Sequence, residues 1–353
     1  MRRASTSTTA RMSTARLIRT GERPFFPIAM VVSSVRRLVP VAWLAAVLGA
    51  CASGAEPTAP ATVSTSVAPG GTTSAGQTQA APLPDRGVSG TVGAIDVVSP
   101  PVPTTCATRT AGFFAGMTLT AASETRHYDL FVPDRTDLTA PLPVVLVFHA
   151  DDGQSLRAVL GLEAVTGTHA IVVYPYGNGN AWNLSKPDGN DDYAFVDALK
   201  ASLVASQCAD AKRMFAYGFS NGGYFVNQMA CYRGTAAFRG IAVNSSGLYA
   251  PDGAPESYDD NGDLLCPAPP PAALVIHGTA DTVSDYQHEG VYTEKSWRHA
   301  DTCGASSTAM SPAPCVTYSG CTANPVAFCG ISGMGHQVWS SAATATWGFF
   351  SQL

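Results

Sequence analysis

From about residue 126 onward, short apolar runs alternate with stretches of helical spacing. RHYDLFVP, from Arg126 to Pro133, alternates as a strand does. Leu142–Ala150 and Ala170–Pro175 are continuous apolar runs, the pattern of strands buried on both faces of a parallel sheet. Helical spacing over Ser155–Thr166 separates those two runs, and a Gly/Asn-rich loop, Tyr176–Asn190, follows them. Asp191–Cys208 reads as a helix with acidic residues at its start, where the helix dipole favours them. Arg213–Phe219 is a strand and Tyr224–Cys231 a buried helix. Further strands are expected at Phe238–Asn244, Ala272–His277, Cys315–Ser319 and Val326–Ile331, with helices at Glu289–His299 and Val338–Phe350 and a polar, Pro-rich excursion at 245–271. Strands alternating with helices predict an α/β domain, a mostly parallel central sheet with helices on both faces.

The N-terminal third reads differently. Arg36 and Arg37 precede the apolar stretch Leu38–Ala50, the layout of a signal peptide. Leu48-Gly49-Ala50-Cys51 resembles the lipobox of bacterial lipoproteins, so Cys51 is the expected lipidation site and the only expected link to a membrane. The same residues also satisfy an ordinary cleavage site, and Met30 is a plausible start that gives the signal an ordinary length. Residues 52–103 are mostly Ala, Ser, Thr, Gly, Pro and Val; so little apolar surface cannot offset the entropy of ordering, and a disordered tether is expected. The expected organisation is signal over 1–51, tether over 52–103 and catalytic domain over 104–353.

Composition adds the compartment. The chain has 353 residues, nine of them cysteine, and a net charge of -5. The mild negative charge gives no basic footprint for nucleic acid. Removing Cys51 leaves an even number of cysteines, which in an exported chain points to disulfides and an extracytoplasmic location. None has metal-ligand spacing, so neither a metal nor another cofactor is expected. Connectivity is open at this point; Cys303–Cys321 and Cys315–Cys329 are the expected pairs, the second because it would face itself across a hairpin.

The candidate chemistry lies in Gly218-Phe219-Ser220-Asn221-Gly222, a G-x-S-x-G pattern between a strand and a helix. That is the context of a nucleophile elbow, whose strained turn needs small neighbours. Asp281 then ends a strand and His336 lies in a loop after the last one, so the order is Ser, acid, His, as in α/β-hydrolases. A serine alcohol needs an imidazole to take its proton, and the imidazole needs a carboxylate to hold its tautomer. Asp285 is the alternative acid; His149 and His277, at strand ends, are expected to be structural. The Asn221 N–H and those of Ala150 and Asp151 are the expected oxyanion donors.

These stretches resemble the secreted esterase family of polyhydroxybutyrate depolymerases, feruloyl esterases and family 1 acetylxylan esterases. RHYDLFVPD, PVVLVFHADDG, AWN, DDYAFVDAL, YGFSNGGYFVNQMAC, LVIHGTADTVSDY and GMGHQVW carry the resemblance, from Arg126 to Trp339. It implies an α/β-hydrolase fold, with Ser220 as nucleophile, Asp281 as acid and His336 as base. It also implies aromatics near the cleft, able to bind substrate, at Trp182 and Trp339, with plain core packing as the alternative, and it supports the Cys303–Cys321 pair. Where the family usually has His-Gly, this chain has His149-Ala150, a methyl that would narrow the oxyanion loop. The expected activity is serine ester hydrolysis on feruloyl or acetyl esters of polysaccharide or on hydroxyalkanoate oligomers, by a monomer. The competing readings are a serine peptidase of the same fold and a non-catalytic surface lipoprotein.

Overall fold

The computed structural model describes residues 110–134, 140–251 and 257–353. The expected signal, the Cys51 lipidation site and the tether lie outside them. Ten strands form one sheet in the order β1-β2-β4-β3-β5-β6-β7-β10-β9-β8. They are β1 (Gly112–Ala121), β2 (Glu124–Val132), β3 (Leu142–Phe148), β4 (Ile171–Pro175), β5 (Ala209–Phe219), β6 (Gly240–Asn244), β7 (Ala272–Gly278), β8 (Ser307–Ala309), β9 (Val316–Tyr318) and β10 (Val326–Ile331). The strands from β4 to β10 along the middle of that order are parallel, and the outer ones are antiparallel.

The continuous apolar runs became the centre because both of their faces are covered: every residue of β3, β4, β6 and β7 is buried. One face packs on α3 (Asp191–Gln207), α4 (Asn221–Arg233) and α5 (Tyr292–Ala300), with Phe195, Phe225 and Trp297 in its core. The other packs on α1 (Arg157–Leu160), α2 (Leu162–Thr166) and α6 (Ala342–Phe350), with Leu160, Leu162 and Phe350 in its core. This is the covered, mostly parallel sheet that the alternating pattern predicted, and the α/β-hydrolase fold that the resemblance implied.

Several elements differ from expectation. The helix expected over Ser155–Thr166 is two short helices, because Gly161 between them adopts a left-handed φ of 63°. The helix expected from Val338 starts only at Ala342; the Trp339 N–H is taken by the Asn244 side chain instead of a helical carbonyl. The segment before α5 opens as a π-helical turn, Tyr286–Val291. The edge strands β1 and β8 had no apolar run to announce them, since most of their residues are exposed or half-buried.

The disulfides Cys303–Cys321 and Cys315–Cys329 both form. The second joins the start of β9 to β10, whose antiparallel register places Val316 opposite Phe328. Cys231–Cys266 ties the end of α4 to the Pro-rich excursion, a pair the spacing did not suggest, and Cys208 is disulfide-bonded as well. Among the described residues no helix is long and apolar enough to cross a membrane.

Candidate active site

Ser220 stands at the C-terminal end of β5, immediately before α4, with a left-handed φ of 51°. A non-glycine residue held there stores strain of about 1–3 kcal/mol, which surrounding packing must impose. The glycines around it show how. A Cβ on Gly218 would collide with the Gly222 carbonyl, and one on Gly222 with the carbonyls of Phe148 and His149 at the end of β3. The elbow is therefore wedged, backbone against backbone, between its own helix and the neighbouring strand.

Two loops bring the other expected residues to the same edge. His336 Nε2 is 2.9 Å from Ser220 Oγ. On the far side of the ring, His336 Nδ1 is 2.9 Å from Asp281 Oδ2 and 3.1 Å from Oδ1. A carboxylate only accepts, so Nδ1 carries the proton and Nε2 is left free to accept from the Ser220 hydroxyl. Asp281 is buried, and burial works against its charge. The His336 contact and the N–H groups of Ser284 and Val283, donating to Oδ1 at 2.9 and 3.0 Å, outweigh that and hold its carboxyl below the usual value.

Asp285, the alternative acid, is exposed and caps the π-helical turn through the N–H groups of Gln287 and His288. His277 is buried behind Asp281, its Nε2 2.8 Å from the Ser284 carbonyl. Ser284 Oγ in turn meets the Tyr224 hydroxyl at 2.9 Å, which links α4 to the acid's turn. Tyr224 also donates to Glu289 and stacks on Tyr249, which is 42% exposed. Neither tyrosine was singled out from sequence.

The loop after β3 is held from behind. His149 Nε2 accepts the Gly177 N–H at 2.9 Å, so the ring is neutral with its proton on Nδ1, which donates to the Ala150 carbonyl at 2.5 Å. Burial lowers the His149 pKa and favours that neutral form. The Trp182 indole N–H donates to the His149 carbonyl at 3.1 Å. In a trans peptide the N–H points opposite the C=O. Anchoring the carbonyls of His149 and Ala150 thus turns the N–H groups of Ala150 and Asp151 away from these anchors. Ala150 does not have a left-handed backbone, so its conformation does not require the glycine usual in the family.

Trp182 and Trp339, which the resemblance puts near the cleft, are both buried. Trp182 is 3% exposed, stacked on Phe225 and edge-on to Phe148; Trp339 is 9% exposed within the core beside α6. Large aromatics near a cleft gain more from burial than from exposure. The loop bearing Trp182 is secured by Asn221, whose Oδ1 accepts the Trp182 N–H at 2.7 Å, and by the buried Arg126–Asp192 ion pair, whose Asp192 Oδ2 accepts the Asn183 N–H at 2.7 Å. Sequence reasoning missed that pair; an arginine inside an otherwise strand-like run was the available signal.

Asp259, Asp263 and His299 are the described residues grouped closely enough to hold a metal ion. Lys295 Nζ already lies 3.2 Å from Asp263, so a cation is supplied by the chain itself. A cavity of about 520 Å³, lined by Leu142, Arg213 and Leu353 among others, lies at the opposite edge of the sheet and touches none of the residues around Ser220.

No family model matches the chain. Feruloyl esterase C of Emericella nidulans is 32% identical over 244 residues, which is 64% of this chain and 83% of that protein. The probable feruloyl esterase C of Aspergillus clavatus is 30% identical over the same shares of each. The chain belongs to the feruloyl esterase C family of α/β-hydrolase esterases. Among solved structures, this esterase is similar to the acetyl xylan esterase from Aspergillus awamori, with a TM-score of 0.47, 18% identity and coverage of 64% of this chain and 94% of that one. It is similar also to the poly(3-hydroxybutyrate) depolymerase from Bordetella parapertussis, with a TM-score of 0.47, 16% identity and coverage of 69% and 91%.

Proposed function

We propose that this esterase is an extracytoplasmic serine hydrolase that works through an acyl-enzyme on Ser220. The observation that carries the reading is the unbroken chain from Ser220 Oγ to His336 Nε2 at 2.9 Å and from His336 Nδ1 to Asp281 at 2.9 Å. Ser220 Oγ attacks the ester carbonyl while its proton passes to His336 Nε2. The imidazolium formed is stabilised by the Asp281 carboxylate, already ionised. The carbonyl oxygen becomes an oxyanion, met by the N–H of Asn221 at the start of α4 and by those of Ala150 and Asp151. Collapse of the tetrahedral adduct breaks the ester bond, and the leaving alkoxide takes the proton from His336. Water then repeats the sequence on the acyl-enzyme, releasing the acid and restoring Ser220.

The names of the relatives favour a feruloyl ester. The partly exposed Tyr249, stacked on Tyr224 four residues past the nucleophile, supports an aromatic acyl group because it offers a ring face to pair with one. Acetyl esters of polysaccharide and hydroxyalkanoate oligomers are the competing substrates. Disulfides fit an oxidising compartment, and Cys51 is the residue a lipid anchor would use.

The test is hydrolysis of methyl ferulate, acetylated xylan and hydroxybutyrate oligomers by wild type, Ser220→Ala and Asp281→Asn. Either variant should lose at least about 10,000-fold in kcat on the preferred ester. Wild-type rates in Ser220→Ala would remove this serine from the mechanism, and inert esters alongside cleaved peptides would favour a peptidase.

A further inference from the structure

Asn244, the last residue of β6, is wholly buried and touches both halves of the site. Its main-chain carbonyl accepts the Ser220 N–H at 3.1 Å, directly beneath the strained nucleophile turn. Its side chain crosses to the loop that carries His336. There Oδ1 accepts the Trp339 N–H at 3.1 Å and Nδ2 donates to the Gln337 carbonyl at 3.2 Å. The remaining capacity of the carboxamide is also used: Oδ1 accepts the Tyr217 hydroxyl at 3.2 Å and Nδ2 donates to Ser245 Oγ at 3.0 Å. A main-chain N–H can only donate and a carbonyl can only accept, so the amide has one possible orientation. No other residue type of this length offers an acceptor and a donor side by side.

We infer that Asn244 is a positioning residue that sets the distance between Ser220 and His336, by holding the nucleophile's backbone with its own carbonyl and the base's loop with its carboxamide. The inference rests on the reading of Ser220 and His336 as nucleophile and base. Asp281 holds the Nδ1 side of the ring and Phe219 lies against it at 5.2 Å between ring centroids, but neither holds the main chain just past His336. The Asn244 bonds, one and three residues past His336, hold that main chain and so set where the ring is carried. Displacement of about 1 Å at a reacting pair costs on the order of 100-fold in rate. Both half-reactions pass their proton through Nε2, so a displaced ring slows acylation and deacylation together.

The experiment uses a Tyr217→Phe background, so that adding Asn244→Ala does not strand the Tyr217 hydroxyl. Active sites are counted by end-point labelling with a fluorophosphonate, and kcat and KM are measured on methyl ferulate. The expected result is a kcat per labelled site lower by about 10- to 100-fold, with KM within about twofold of the background. Asn244→Leu, which keeps the size but offers neither acceptor nor donor, should show the same split. If either variant turns over at the background rate per labelled site, whatever happens to its melting temperature, Asn244 only stabilises the fold and the inference is overturned. That outcome is distinct from failure of the underlying reading, which would show as wild-type turnover in Ser220→Ala.

Discussion

The seat of Ser220 and the loops that meet it are held in opposite ways. The seat is held by what is missing. Gly218, Gly222 and Gly223 let main chain press on main chain, or on Ser246, at separations no side chain would permit. The loops carrying Asp281, His336 and the N–H groups after β3 are held by what is added, a set of buried polar side chains each spent on main-chain groups. Asn244, Trp182, His149 and Asn221 all work this way. The difference teaches where tolerance lies. A backbone wedge fails as a whole, because interiors at native density have no room to yield. A side-chain tether fails by degrees, because the loop keeps its other contacts and only its aim suffers.

The sharpest way to break this contrast is Gly222→Ala. Its methyl would meet the carbonyls of Phe148 and His149, so β3 and α4 must part. The expected loss is about 3 kcal/mol or more, with activity falling alongside the folded fraction; circular dichroism melts and fluorophosphonate labelling check it. A variant that melts like wild type would mean the elbow is not wedged.

Trp182→Phe should behave as a tether instead. The ring packing on Phe225 and Phe148 is largely kept, but the His149 carbonyl loses its donor. Turnover should drop about 10-fold, since the Ala150 N–H is misdirected rather than removed, for a stability loss of about 1–2 kcal/mol. Labelling should still reach full titre. Unchanged kcat would detach Trp182 from the oxyanion side.

Asp301 is the control that belongs to neither set. It follows α5, and its Oδ1 accepts the Asn324 N–H, ahead of β10, at the edge of the sheet opposite Ser220. Burial pushes its carboxyl up to about 7. A folded value above the unfolded one means full stability at acid pH, lost progressively as pH rises through that value. Asp301→Asn, whose amide oxygen can still accept from Asn324, should melt with wild type at pH 4 and several degrees higher at pH 8. Turnover should not change. A change in kcat would show that the two edges of the sheet are coupled.

Much of the elbow side was legible along the chain, because glycine spacing around Ser220 is a local pattern and the wedge it allows is local too. The order Ser220, Asp281, His336 was legible for a related reason: each follows an apolar run long enough to read as a strand, and parallel strands deliver their ends to one edge. The tethers were not. Asn244 reads as the polar end of an apolar run, and nothing near it in sequence mentions Gln337 or Trp339. Trp182 and Trp339 sit in motif-like surroundings, and an aromatic lining a cleft has the same local signature as one filling a core. Cys231–Cys266 was hidden similarly, since the Pro-rich excursion returns to α4 without any periodic pattern.

Taken alone, then, the amino-acid order determined the sheet's centre, the elbow and the identity of the residues that meet there. Those follow from hydrophobic periodicity and from the room a missing side chain leaves, both properties of neighbours in the chain. Which polar groups aim the loops was decided only by the folded arrangement. A hydrogen bond needs partners within about 3 Å and correctly turned, and for residues nearly a hundred positions apart that condition exists only once the sheet has formed.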